Sequence, residues 1–364
     1  MKRYKRMAPL LLAVVAALAL SVTTATAMGA SHKRHADKLT IGFVTHAVGD
    51  PFIKQILQAA KDAGKDLGVD VKTTGTPAFD PAAQLKMVQD LFASGADGVA
   101  TSITGDSMAT GLNALIKQGK PIVEFNIYSN RVNAPYVGER SVGDWALLGK
   151  AVRAKMGSAA SGATAIIGTC APGFPALVDR INGVKKGLGA GVKVKGPYDV
   201  TGDPTKNYSA WQQLIAANPD AKALIGVCAQ DLATLGKLNK AKKYITAGGD
   251  PTLGNLAALS SGAGLISMGQ TGYVQGYLPV LMIVDSIRSG KALPKSGFIS
   301  SGYEIITASG SKEDHGLPQL PMAKIKLFQT NAAAQKAYYR ALFTGSGYFV
   351  KWQSHVEPIA NASR

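Results

Sequence analysis

The stretch LTIGFVTHAVGDPF, residues 39–52, introduces the pattern that the rest of the chain repeats. Its first half, 39–44, is a short apolar run typical of a buried strand. Asp50 and Pro51 are residue types favoured at the N-cap and in the first turn of a helix. Apolar side chains then recur at helical spacing, at Ile53, Ile56, Leu57 and Ala60. The stretch therefore predicts a strand followed by an amphipathic helix over 52–67.

Strands and helices continue to alternate along the chain. The predicted strands after the first are 69–73, 98–102, 121–125, 164–168, 192–198, 222–227, 244–246, 264–268 and 303–307. The predicted helices after the first are 81–94, 108–118, 176–188, a helix containing 211–217, 232–241, 253–260 and 273–289. This alternation predicts parallel sheets covered on both faces. Because the pattern restarts after a short extended segment at 135–140, we expect an α/β protein with two such sheets in succession.

The two ends of the chain differ in composition from this repeating part. Four basic residues (Lys2, Arg3, Lys5, Arg6) precede an apolar run over 7–22 and the small-residue ending ATA at 25–27. This layout predicts a signal peptide, 1–27, cleaved after Ala27. The alternative is a retained anchor, but the run is shorter than the roughly 20 residues of a spanning helix. Residues 28–38 form an expected disordered basic arm, and the weakly periodic tail after Ser309 is expected to pack on one lobe.

The predicted mature chain is basic. Removing residues 1–27 takes away four basic and no acidic side chains, so the formal charge falls from +17 to +13. The basic residues are scattered and no aromatic side chains interleave with them, which disfavours nucleic acid as a partner. Since the first cysteine is Cys170, no lipoprotein acylation site is present near the predicted cleavage site. We therefore expect a protein of the Gram-negative periplasm.

Sequence motifs of common enzymes and metal sites are absent. There is no strand-linked GxGxxG, P-loop, nucleophile elbow or HExxH. The five histidines are dispersed, so neither a metal nor another cofactor is expected. Cys170 and Cys228 follow neighbouring predicted strands, and secretion permits a disulfide. A bridge and two buried thiols both remain open, because a bridge needs particular Cβ geometry.

Open α/β sheets bind ligands at the carboxyl ends of their strands. The polar or aromatic residues predicted there are His46, Asp50, Phe52, Ser102, Thr104, Asp106, Asn126, Phe174, Asp179, Arg180, Gln230, Asp231, Asp250 and Gln270. Carboxylates, amides and a guanidinium match the paired hydroxyls of a sugar. Phe52, Phe174 and Trp211 offer apolar faces for a sugar ring. Asp50 and Asp250 have the alternative role of helix caps, and Glu124, inside an apolar strand, has no assigned role.

Several short motifs, in this order and spacing, resemble the type I periplasmic sugar-binding proteins, the class of ribose-, galactose- and autoinducer-2-binding proteins. They are IGFV at 41–44, DPF at 50–52, FDPAAQ at 79–84, ADGV at 96–99, GKPIV at 119–123, DRING at 179–183, GGD at 248–250 and QGYL at 275–278. The resemblance implies that Asp50, Phe52, Asn126, Arg180, Gln230, Asp250 and Gln270 contact the ligand. His46, Ser102, Phe174 and Asp231 are weaker candidates. Ribose-type members have Asn at the position of Asp50 and an Asp-Arg pair at Asn126-Ile127, so the ligand need not be ribose.

The resemblance also implies a topology. A simple tandem would place 273–289 in the second lobe, whereas the family has two doubly wound lobes joined by a three-strand hinge. The implied lobes are 39–138 plus 270–300 and 139–269 plus 301–364. We expect crossings near Gly138, Gln270 and Ser301.

The function implied is that of a monomeric, non-enzymatic substrate-binding protein. It closes on a sugar, polyol or furanosyl compound and delivers it to the permease of an ABC importer. A sensor that presents bound sugar or autoinducer-2 to a chemoreceptor or histidine kinase is the alternative, and a lyase or isomerase is a more distant one. Repressors built on the same core need an N-terminal DNA-binding helix-turn-helix, where this chain has the predicted signal peptide.

Overall fold

A computed structural model describes residues 38–312, 318–344 and 351–363, with backbone only at 51, 303, 304 and 344. The predicted signal peptide and all of the basic arm except Lys38 lie outside these residues. The strands are β1 Thr40–Thr45, β2 Asp70–Gly75, β3 Gly98–Thr101, β4 Ile122–Phe125, β5 Pro135–Gly138, β6 Thr164–Thr169, β7 Lys193–Asp199, β8 Ala223–Gly226, β9 Ile245–Gly249, β10 Ile266–Gln270, β11 Gly297–Ser300, β12 Tyr303–Thr307 and β13 Gly310–Ser311.

The helices alternate with these strands. They are α1 Pro51–Leu67, α2 Pro81–Ala93, α3 Ala109–Lys117, α4 Ser141–Met156, α5 Pro175–Leu188, α6 Pro204–Ala217, α7 Asp231–Leu238, α8 Leu253–Ser261, α9 Gly272–Ser289, α10 Met322–Thr330 and α11 Ala332–Thr344. Short 3₁₀ turns lie at Asp106–Met108, Gly157–Ala160, Trp352–His355 and Ile359–Asn361. None of the helices in the described part is long and apolar enough to cross a bilayer.

The strands form two sheets, as the sequence predicted. The first has the order β11-β5-β4-β3-β1-β2 and all its neighbouring pairs are parallel. The second has the order β13-β12-β10-β9-β8-β6-β7 and is parallel except at β12, which pairs antiparallel with β10 and β13. This is the predicted α/β architecture of two mostly parallel sheets.

The chain passes between the two sheets three times. β5 belongs to the first sheet and β6 to the second; β10 belongs to the second and β11 to the first; β12 returns to the second. Helix α9, between β10 and β11, packs on α1, where a Cβ at Gly276 would lie only 2.1 Å from the Ile56 carbonyl oxygen. A simple tandem of two sheets is therefore wrong, and the return of α9 follows the arrangement that the resemblance implied.

Helix α4 was not predicted from the sequence. Eight of its residues are buried, including Asp144, Trp145 and Gly149, so it lacks a simple apolar stripe. A Cβ at Gly149 would lie 2.4 Å from the Val184 carbonyl oxygen, so only glycine allows α4 and α5 this close approach. Small and polar residues on the buried face of α4 interrupt the apolar periodicity from which an amphipathic helix is predicted.

The tail contacts elements of both sheets, whereas the sequence predicted packing on one lobe. In α10, Lys326 Nζ donates to Ser260 Oγ of α8 at 2.9 Å. In α11, Lys336 Nζ pairs with Asp62 of α1 at 3.0 Å, and Phe343 stacks on Tyr277 of α9 with 4.2 Å between ring centroids. Apolar side chains of the tail thus share one core with α8, a helix beside the second sheet, and with α1 and α9, helices beside the first.

Candidate functional site

A cavity of about 120 Å³ lies between the two sheets. Strand ends from both sheets line it, as expected where the carboxyl ends of two open α/β sheets face each other. The seven stronger sequence candidates all line it: Asp50, Phe52, Asn126, Arg180, Gln230, Asp250 and Gln270. His46 and Phe174 line it as well, together with Phe79 and Ile127, which the sequence analysis did not select.

Arg180 is the main cation of this cavity. Its Nε donates to Glu139 Oε1 at 2.7 Å and its Nη1 to the Val227 carbonyl at 3.0 Å. Both ion-pair partners are buried, with side-chain exposures of 8% and 2%, and the guanidinium lies 5.0 Å from the Trp145 ring. Burial is the largest influence and opposes its charge, but Glu139, Asp250 and Tyr136 together outweigh burial, so the pKa of Arg180 is raised. Arg180 is therefore a fixed charge at the cavity wall.

Asp250 faces the same cavity on a strained piece of backbone. Its φ is +64°, and its N–H donates to the Met268 carbonyl at 2.7 Å. Oδ1 accepts from Gln270 Nε2 at 3.3 Å. Burial raises the pKa of Asp250 to about 6, against the lowering effect of Arg180. Thr252, and not Asp250, caps α8 by accepting from the Asn255 N–H, so the capping alternative for Asp250 is wrong.

Three side-chain amides connect the two sheets beside Asp250. Asn126 Nδ2 donates to Gln270 Oε1 at 3.2 Å and to Gln275 Oε1 at 2.9 Å. Gln275 Nε2 donates to Gln270 Oε1 at 3.0 Å and to Ser301 Oγ at 3.1 Å. Asn126 has a φ of +61°, a conformation that Asn tolerates better than most residues. The first sheet and the second sheet are thus hydrogen-bonded through the cavity wall.

Asp50 caps helix α1 and also lines the cavity. Its Oδ1 accepts from the backbone N–H of Phe52 at 2.7 Å and of Ile53 at 3.4 Å, so it caps α1. The residue also lines the cavity. Phe52 is 7% exposed and packs against the α1–α9 contact, where a Cβ at Gly272 would lie 2.9 Å from its ring. Phe52 thus presents only an edge of its side chain to the cavity.

An aromatic stack spans the cavity from one sheet to the other. The ring centroids of His46 and Phe79 lie 5.1 Å apart, and those of Phe79 and Phe174 lie 4.3 Å apart. Phe79 follows β2 and Phe174 precedes α5, so the stack joins loops of different sheets. Burial lowers the pKa of His46 to about 4, and a neutral ring results at neutral pH.

Two of the four weaker ligand candidates, Ser102 and Asp231, do not line the cavity. Ser102 lies behind His46, with its Oγ 3.0 Å from His46 Nδ1, and it accepts from Gln84 Nε2 at 3.1 Å. Asp231 is fully buried, and its carboxylate accepts from Asn207, Trp211 and the Cys228 backbone. As the first residue of α7, Asp231 turns away from the cavity.

The aromatic face expected from Trp211 is also missing from the cavity. Trp211 is buried in an apolar cluster of the second sheet and α6 that also contains Val200 and Leu224. Gln230, in contrast, lines the cavity while its Nε2 donates to the Thr201 carbonyl at 3.0 Å. Its amide oxygen and its second amide N–H are therefore left for a ligand.

Cys170 and Cys228 form a disulfide, and both line the cavity. The bridge ties the loop after β6 to the loop after β8, next to Phe174 and Gln230. Of the two alternatives that the sequence left open, the bridge is the one present. Among the residues that the structure describes, no group of three or more His, Cys, Asp or Glu side chains could hold a metal.

Glu124, which had no assigned role, lies outside this cavity. It is buried on β4, and its Oε2 accepts from the Ser129 N–H at 2.8 Å. Burial raises its pKa well above the usual range, more than that hydrogen bond lowers it. The buried carboxyl group therefore anchors the loop after β4.

A family comparison is consistent with this geometry. The family model of the periplasmic binding protein domain matches residues 41–292, more than half of the chain. The chain belongs to the periplasmic binding protein domain family. This periplasmic binding protein domain contains every residue that lines the cavity. A comparison with curated proteins found no match.

Solved structures share the fold of this periplasmic binding protein domain. GanP, a glucose-galactose binding protein from Geobacillus stearothermophilus, has a TM-score of 0.66 and 20% identity over 75% of this chain and 98% of its own. A solute-binding protein of an ABC transporter from Burkholderia graminis, in complex with D-arabinose, has a TM-score of 0.67 and 23% identity over 74% of this chain and 95% of its own. At these identities the likeness establishes the fold.

Proposed function

We propose that this protein is the periplasmic substrate-binding component of an ABC importer and binds a sugar or related polyhydroxylated solute between its lobes. The observation that carries the proposal is the convergence of Arg180, Asp250, Asn126 and Gln270 on one cavity between two sheets. The lobes proposed are 39–138 plus 270–300 and 139–269 plus 301–364, with a monomer as the working unit.

The chemistry of these groups favours a hydroxylated ligand. A hydroxyl both donates and accepts, and Asp250 offers acceptors while Arg180 offers donors. The amides of Asn126 and Gln270 offer both kinds of group. Since Arg180 is paired with Glu139 and Asp250 lies nearby, the site carries no excess positive charge that would require an anionic ligand. Paired hydroxyls of an uncharged sugar match this set of groups.

The size and walls of this cavity suit a small group such as one sugar ring. Sites for drug-sized molecules measure about 300–1,000 Å³, whereas this cavity measures about 120 Å³. Phe174 and the exposed part of Phe79 provide apolar surface for the C–H groups of a sugar ring, and Phe52 adds a small part of its side chain. Since the walls come from both sheets, a ligand that contacts both favours a closed arrangement by its differential affinity.

Two observations support delivery to a permease: the similarity to solute-binding proteins of ABC transporters and the predicted signal peptide. The Burkholderia graminis neighbour is described as a solute-binding protein of an ABC transporter. The predicted signal peptide at 1–27 supports a periplasmic location for the mature chain, on the side of the membrane where such a protein meets an importer. A binding role requires saturable binding without turnover, which separates it from an enzyme.

Thermal unfolding of refolded mature protein tests the binding role. The panel contains pentoses, hexoses, polyols, sugar acids and autoinducer-2, and refolding removes any ligand carried through purification. A ligand present at 100 times its Kd stabilises the protein by about 2.7 kcal/mol. We expect a raised midpoint with a few related hydroxylated compounds. A flat panel with a correctly folded protein would overturn the proposal.

A further inference from the structure

A second cavity, of about 180 Å³, adjoins the first. The two share Asn126, Ile127 and Ala176 as lining residues. The loops after β3 and β4 form one wall of the second cavity, and the start of α5 forms the other. Both cavities therefore lie between the same two sheets and border each other at these three residues.

The second cavity offers a carboxylate on the wall made by α5. Asp179 is half-buried, and no hydrogen bond or ion pair to it is seen among the described residues. Burial, and then the charge of Glu139, raise the pKa of Asp179. Asp106, on the opposite wall, is already engaged by Arg131 at 3.1 Å and by Ser129 Oγ at 2.6 Å. Asp179 is thus the carboxylate available to accept from a ligand hydroxyl.

The opposite wall offers an aromatic ring on an anchored loop. Tyr128 stacks on Tyr136 with 4.6 Å between ring centroids, and both line the cavity. Glu124, buried beneath, accepts from the Ser129 N–H and so fixes the loop beside Tyr128. A carboxylate and an aromatic ring that line one cavity suit a sugar, which has hydroxyl edges and apolar C–H faces.

We propose that the second cavity is a subsite for a second sugar ring, so that the ligand is a disaccharide or a larger glycoside. This inference rests on the proposed function and names its substrate class. The first cavity holds one ring beside Arg180 and Asp250. The linkage passes Asn126, and the second ring lies between Tyr128 and Asp179. A monosaccharide occupies the first cavity and leaves Asp179 without a ligand contact.

Titration calorimetry of the refolded mature protein tests the subsite. The probes are D-glucose, D-galactose and D-xylose, and the disaccharides maltose, cellobiose, lactose, melibiose and xylobiose. We expect at least one disaccharide to bind about tenfold more tightly than its component monosaccharide, the gain from one added charge-assisted hydrogen bond. Monosaccharide binding with weaker binding of every related disaccharide would overturn the subsite and leave the proposed function intact. Binding of none of the eight would overturn the subsite, and the proposed function would then be decided by the thermal-unfolding panel, which also contains polyols, sugar acids and autoinducer-2.

Asp179→Asn locates the second ring. The change keeps the shape of the side chain and removes its charge, and Asp220→Asn, at an exposed position, is the matched control. We expect Asp179→Asn to weaken the disaccharide about tenfold and to leave the monosaccharide within twofold. Tyr128→Leu, which removes the aromatic ring, should likewise weaken binding of the disaccharide and leave binding of the monosaccharide almost unchanged. Equal losses for both sugars at equal midpoints would mean that the second cavity holds no ring.

Discussion

Asn126 Nδ2 donates to Gln270 Oε1 across 3.2 Å, although Asn126 follows β4 of the first sheet and Gln270 ends β10 of the second. Gln270 Nε2 in turn donates to Asp250 Oδ1, and the charge of Arg180 lowers the pKa of that carboxyl group. The walls of the cavity are therefore coupled directly through polar side chains. A ligand that inserts hydroxyls among them exchanges these contacts for its own.

The buried pair of Arg180 and Glu139 predicts that mutations can affect the stability of the protein and its affinity for sugar separately. Arg180→Met leaves Glu139 buried without its partner, which costs about 3–5 kcal/mol. Arg180→Met combined with Glu139→Gln removes both charges, so chemical denaturation should show most of the loss recovered. Neither variant should bind sugar. Recovered stability together with recovered binding would contradict the ligand role of Arg180.

Asp250 predicts weaker binding at acid pH. Its pKa in the ligand-free protein is about 6, and protonation removes the charged acceptor that a sugar hydroxyl uses. The affinity for sugar should therefore be constant from pH 7 to 8 and fall as pH drops through about 6. His46, with a pKa of about 4, stays neutral over this window. Asp250→Asn should bind weakly and lose most of this pH dependence, and an affinity of the wild type that is constant from pH 5 to 8 would contradict the assignment.

Phe79 predicts an effect on ligand release. Its ring stacks on Phe174 of the facing loop and is 43% exposed, so it contributes little to the core. Phe79→Ala should lose about 0.5–1.5 kcal/mol of closed-state stabilisation, as expected for one aromatic pair, and sugar should dissociate several-fold faster in stopped-flow measurements. Leu253→Ala, at another exposed apolar side chain, is the control. An unchanged dissociation rate in Phe79→Ala would show that the stack does not retain ligand.

Many residues that line the cavity were predictable because the carboxyl ends of parallel strands lie along the same edge of a sheet. Asp50, Asn126, Asp250 and Gln270 each follow or end a strand, and all line the cavity. Asp231 fits the same rule, but the first turn of α7 directs its carboxylate to Asn207 and Trp211. A strand-end rule places a residue at the right edge of a sheet without fixing the direction of its side chain.

Other parts depend on contacts between distant residues. Glu139 follows β5 in a crossover, and its importance comes from Arg180, 41 positions later. Phe79 lies in the loop after β2, and its partners His46 and Phe174 come from two other loops. No local pattern marks such residues. The packing of the tail was not predictable for a related reason. Each of its helices buries one face against elements that precede it by many residues.

The tail predicts a measurable contribution to stability. Lys336 pairs with Asp62, whose side chain is 2% exposed and also accepts from Tyr273 Oη at 2.9 Å. Lys336→Met should lower the free energy of unfolding by about 1–3 kcal/mol, because it leaves a buried carboxylate without its cation. Lys86→Met breaks an exposed pair with Asp90 and should leave the midpoint almost unchanged. Equal effects of the two changes in denaturant titrations would mean that the tail does not dock on α1 in solution.

The most direct test of the account is calorimetric titration of wild type and Asp250→Ala with the sugar that gives the largest thermal shift. We predict saturable one-to-one binding to the wild type and at least about 100-fold weaker binding to the variant, since a buried ligand hydroxyl would lose its charged partner. Circular dichroism and an unfolding midpoint would establish that the variant is folded. Equal affinities for the two folded proteins would show that sugar does not bind in the cavity between the sheets.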